Sequence, residues 1–91
     1  MKILPDNVNP TTKNSEFDET SVPEGLLHNH QTKANVWVKI VVLEGKLKDI
    51  VHKSKDQIFV LDVNKCGVVE PVVRHEVKPL GSVRFYVQFF E

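Results

Sequence analysis

This sequence predicts an all-β domain, a small sandwich or barrel of two packed antiparallel sheets, and three observations lead there. Residues 36–43, 58–61 and 83–90 are apolar runs rich in β-branched and aromatic side chains. The last alternates with period two, Val83, Phe85, Val87 and Phe89 on one side and Arg84, Tyr86, Gln88 and Phe90 on the other. The 4 glycines and 5 prolines punctuate the chain at short intervals and leave little room for a long helix. Roughly six strands or more are expected, with no helix beyond about two turns.

Taken in order, the elements begin with a polar, turn-rich stretch reaching about Pro23, in which Phe17 is the one large aromatic anchor. Residues 1–11 read as an N-terminal arm, loosely ordered or tied to a sheet edge, and a short strand fits within residues 12–17. From Gly25 the chain reads as strands. In the long run, Val36, Val38, Ile40 and Val42 face one way, and Trp37, Lys39, Val41 and Leu43 the other. Neither side is polar, so both faces should be partly covered. Leu47, Ile50 and Val51 have helical spacing, yet they follow a Glu-Gly turn and precede a strand. Residues 46–51 are therefore expected as a strand and residues 52–56 as its hairpin loop. The core is expected from Val38, Ile40 and Val42 with Phe85 and Phe89.

The 91 residues make one domain, large enough for a single core without an obligatory metal or disulfide. Acidic and basic residues balance at 12 each, whereas a nucleic-acid binder carries a basic excess or stripe. The one concentrated basic segment, "KLKDIVHKSKD", is interrupted by aspartates, so no nucleic-acid partner is expected. No stretch approaches the roughly 20 apolar residues of a membrane helix, and the start lacks an apolar signal core. Cys66 is the single cysteine, which excludes an internal disulfide. A soluble protein of a reducing, cytoplasmic setting is expected.

Chemistry-bearing residues are few. His28 and His30, at i and i+2 on extended chain, point to one side and can converge on a metal, with His75 as a third donor. Against this stands a half-exposed His-x-His bonded to backbone or water. His52 lies in the charged loop and should face solvent. The letters "HNH" are no nuclease signature, because the residues are consecutive and no helix follows them. Cys66, in the turn-like "NKCGVV", lacks the surroundings of a nucleophile and reads as a small semi-buried thiol. No phosphate loop, serine elbow or paired carboxylates appear.

At "VVLEG" and "GVVEPVVRHEV" the chain resembles a cupin, the first matching the close of that fold's first motif and the second its histidine-bearing second motif. Over residues 12–91 it more closely resembles the cupin-like domain of the tellurite-resistance TehB and YeaR-type family. "VPEGLL", His30-Gln31-Thr32-Lys33, "VWVKIVVLEG", "EPVVRHEV" and "VRFYVQFFE" carry the match in order and spacing. The resemblance implies a jelly-roll (double-stranded β-helix) barrel, often a homodimer, of no established activity. His75 carries over to the second motif's histidine. The first motif's glutamate would fall at Val38, and its two histidines at Gln31 and Lys33, so the metal set is incomplete. Full-length TehB-type proteins carry a methyltransferase domain that uses S-adenosylmethionine, and this chain is expected to be a stand-alone accessory domain without it.

The leading expectation is a small-molecule or oxyanion binding or sensing protein in toxic-anion stress. His30, His75, Lys33 and Lys39 would supply polar groups and Trp37 and Tyr86 the walls of a pocket in the barrel. Lys39 fits equally a side chain snorkelling to solvent beside Trp37. One alternative is a metal-dependent enzyme using His30 and His75, with His28 or a second chain completing the set. A divalent zinc, nickel or iron would then be held substoichiometrically. The other is a non-catalytic homodimeric interaction module using its β-rich edges and "VRFYVQFF".

Overall fold

Alternation of side chains decides this architecture. The computed structural model describes residues 3–27 and 31–91. Strand β3, numbered in chain order, runs Trp37–Glu44, and its Val38, Ile40 and Val42 are buried while Trp37, Lys39, Val41 and Leu43 are half-buried on the other face. Strand β8, Arg84–Phe90, repeats the pattern with Phe85 and Val87 buried. The two pair antiparallel from Trp37↔Phe90 to Glu44↔Arg84, with a bulge between Val42 and Glu44. Eleven buried side chains, among them Leu26, Leu47, Leu61, Val69, Val77 and Val83, join these into one core. The face chosen from the sequence is the inward one, with Phe89 packed at its margin.

The remaining elements are β1 (Pro10–Lys13), β2 (Phe17–Asp18), α1 (Glu24–Leu27), β4 (Leu47–His52), β5 (Gln57–Leu61), β6 (Gly67–Val69) and β7 (Arg74–Pro79). One sheet has the order β1-β8-β3-β6, with β2 also on β8; the other has the order β5-β4-β7. Every pairing is antiparallel. The protein is thus an all-β domain of two packed sheets, and its one described helix is a single turn that seats Leu26 in the core. No helix among the described residues is long and apolar enough to cross a membrane.

Three local details differ from expectation. Glu24–Leu27 form α1 rather than extended chain, with Leu26 N–H closing onto the Pro23 carbonyl at 3.0 Å. The stretch around residues 12–17 holds parts of two strands, because β1 and β2 both dock on β8. Asn9 and Glu91 exchange two backbone hydrogen bonds of 2.9 and 3.0 Å at that end. Cys66 is exposed, not semi-buried: it leaves an outward turn in which Asp62 accepts a 2.9 Å bond from the Asn64 amide.

Gly45 carries the chain from one sheet to the other. Its φ is +77°, and a Cβ there would run into the backbone carbonyl of Ser82. Both the left-handed conformation and the close approach require glycine. Beyond it β4 forms as a strand, as expected for residues 46–51, and pairs with β5 on one side and β7 on the other.

Candidate functional site

The same alternation that buries Leu47 and Val51 on β4 also buries Asp49, which lies between them. On β7 it buries His75 and Val77. The register sets Val51 opposite His75 and Asp49 opposite Val77, so Asp49 and His75 are diagonal neighbours on one face. His75 Nδ1 lies 3.2 Å from Asp49 Oδ1, with the side chains 1% and 0% exposed. They are the only polar side chains among the buried described residues. This hydrogen bond fixes the ring orientation. Asp49 Oδ2 is buried and has no hydrogen-bond partner among the described residues. An acceptor so placed in an apolar core is costly unless something donates to it.

The opposite face of these two strands carries a second histidine. His52 closes β4 instead of lying in the solvent-facing loop: its Nε2 is 2.6 Å from Glu76 Oε1 and its Nδ1 3.1 Å from Asp56 Oδ1. The Glu76 hydrogen bond and then that of Asp56 raise the imidazole above its ordinary value near 6.5.

The described members of the pocket read from the sequence do not bound one space. His75 is inside, on the three-stranded sheet. Trp37, Lys39 and Tyr86 share the outer face of the five-stranded sheet, where Trp37 pairs Phe90, Lys39 pairs Gln88 and Tyr86 pairs Val41. Their alternation with Val38, Ile40 and Phe85 turns them away from the core. Lys13 Nζ sits 4.3 Å over the Tyr86 ring, and Trp37 borders a surface cleft of about 490 Å³ with Pro5, Val8 and Pro71. Lys33 is exposed in the connection before β3. His28 and His30 lie outside the described residues. The residues that flank them meet β7: Leu27 lines a cleft with Glu76, Val77 and Lys78, and Gln31 accepts a 3.2 Å bond from Arg74 Nε.

Among the described residues no three His, Cys, Asp or Glu side chains are grouped to hold a metal, so they do not make up the donor set that a cupin-type metal needs. The interior is tight. Beside Val51 and Phe59, under the Lys53–Glu70 ion pair of 2.8 Å, the free space is about 10 Å³, room for one water. Asp49, which sequence reasoning passed over, follows from a signal that was available. Once residues 46–51 form a strand with Leu47 inward, period two turns Asp49 inward as well.

Fold and site together define a two-sheet antiparallel β domain with a carboxylate–histidine pair sealed in its core. The chain belongs to the TehB-like family, whose domain matches residues 12–87. Among solved structures it is similar to a structural-genomics protein from E. coli strain K12, at 20% identity and a TM-score of 0.89 over 100% of this chain and 97% of that one. It is also similar to TehB from Haemophilus influenzae, at 23% identity and a TM-score of 0.82, covering 93% of this chain and 32% of that one. At these identities the two structures share the fold. No curated protein sequence matches.

Proposed function

We propose that this chain is a ligand-binding domain, not catalytic by itself, that takes a small oxyanion in toxic-anion resistance of the tellurite kind. Family membership supplies the resistance context, and with 32% of TehB covered, the shared region is a fraction of that protein. The observation that carries the reading is the Asp49–His75 pair. A polar pair in an otherwise apolar core is expensive to keep, and binding is one use that offsets the cost. Titration with sodium tellurite, followed by NMR of the His75 ring, tests it. Saturable one-to-one perturbation of that ring is expected. An unmoved ring across the titration rejects the reading.

A second reading, self-association, is favoured by the half-buried row Trp37, Val41, Leu43, Tyr86 and Phe90 on the outer face of the five-stranded sheet. Such a row suits an isologous dimer. Sedimentation of the chain and of Trp37→Glu decides it: a dimer that the substitution dissociates supports it, and a monomeric parent chain removes it.

A further inference from the structure

We infer that the surface cleft at Trp37 is a site for an organic cation, an alkylated ammonium group set against the indole with the Glu91 carboxylate as its counter-charge. The inference rests on neither reading above. The cleft lies outside the core, at one end of the β3–β8 ladder.

Four parts of the chain meet there. Asn35 and Trp37 come from the start of β3, Pro71 from the turn after β6, Glu91 from the end of β8, and Pro5 and Asn7 from the arm. The two backbone hydrogen bonds between Asn9 and Glu91 hold the arm to the strand end. The cleft is open to solvent, and its volume of about 490 Å³ is that of a small-molecule site. Both non-glycine residues of positive φ among those described flank it: Asn35, at +71°, lines it, and Val72, at +57°, follows Pro71. A β-branched residue held in that region is strained, and such strain gathers at binding sites.

The lining chooses the ligand. Trp37 gives an aromatic wall, Pro5 and Pro71 apolar ones, and Asn7 and Asn35 neutral amides. Glu91 is the one charged side chain among the described lining residues. It enters no ion pair among the described residues, so its charge is free to meet a ligand. Lys39, the next outward residue on β3, lines a separate cleft with Leu4, Cys66 and Val68. An anion at Trp37 would meet a carboxylate and the negative face of an indole. A cation is attracted by both. A bare ammonium is strongly hydrated, whereas alkyl groups on the nitrogen weaken that hydration and pack on the apolar walls.

Titrating the intact chain near neutral pH with choline and with dimethylbutanol, its uncharged carbon isostere, tests this. Trp37 is the single tryptophan, so its fluorescence reports on the cleft directly. Choline is expected to bind about fivefold more tightly than dimethylbutanol, the scale of one cation–aromatic contact. Glu91→Gln keeps the shape of an exposed side chain and removes its charge. That variant is expected to bind choline more weakly and dimethylbutanol as the parent chain does. Equal binding of the two probes by the parent chain overturns the inference. So does a choline affinity that Glu91→Gln leaves unchanged, or a Trp37 signal that choline does not saturate.

Discussion

Strands β4 and β7 carry two carboxylate–histidine pairs, one on each face, with the roles exchanged. Inside, β4 gives the carboxylate, Asp49, and β7 the histidine, His75; outside, β4 gives His52 and β7 gives Glu76. Each pair is a diagonal step across the same ladder. What differs is water. The inner side chains are 1% and 0% exposed, the outer ones 26% and 28%. If the outer pair breaks, solvent replaces each partner. Nothing replaces the inner partners, so one ladder holds an expendable contact and an indispensable one.

The largest expected effect tests that contrast directly. Asp49→Ala or His75→Ala strands one member of a buried pair and should lower stability by about 3–5 kcal/mol. Phe85→Ala, a cavity in the apolar sheet opposite, should cost a similar amount of about 3–5 kcal/mol. The double replacement Asp49→Val with His75→Leu removes both polar groups and should be near neutral, or stabilising by about 1–4 kcal/mol. Urea unfolding of the four variants checks this. A double variant as unstable as the singles would mean the pair contributes shape, and the contrast with the outer pair would fail.

The inner pair also marks where sequence reasoning stopped. Strong period-two runs exposed β3 and β8 and the inward face of each, because apolar alternation is a local signal that the final structure has no reason to overrule. The competition at residues 46–51 was settled by the Glu-Gly turn, and β4 is a strand. Asp49 was given no role there, since a lone aspartate among lysines most commonly sits at the surface. Burial there depends on which strand supplies a partner, and His75 lies 26 residues further on. Trp37 and Tyr86, expected as pocket walls, and Lys39, expected as a polar group beside them, lie away from His75 for the converse reason. They are the chemically richest side chains of their strands, and strict alternation put them on the face away from the core.

A smaller effect is expected where the chain enters β7. Val72, 54% exposed in the turn after β6, has a φ of +57°, a conformation that a β-branched residue adopts only under strain. Val72→Asn relieves it, since asparagine tolerates the left-handed region, and should raise stability by about 1 kcal/mol. This sharpens the comparison, because the turn lies three residues before His75 and four before Glu76. If the ladder alone positions both pairs, the His75 and His52 ring resonances keep their parent values. A displaced His75 signal with an unchanged His52 would show that the strained turn, and not the ladder, seats the inner pair.

The smallest effect belongs to the outer pair. Glu76 and, after it, Asp56 raise the His52 imidazole above 6.5. A folded value above the unfolded one means protonated His52 is favoured by folding. Its contribution is therefore fully present below 6.5 and is lost as pH rises through the raised folded value. An NMR titration should place the His52 midpoint above 6.5, and Glu76→Gln, which removes the largest contributor, should bring it back toward that value. The stability difference between the parent chain and Glu76→Gln should be small, because the pair is partly solvated, and it should shrink further on the alkaline side and in high salt. A His52 midpoint at or below 6.5, or a Glu76→Gln loss as large as that of Asp49→Ala, would put the outer pair in the same class as the inner one. Solvent exposure would then not be what separates the two faces.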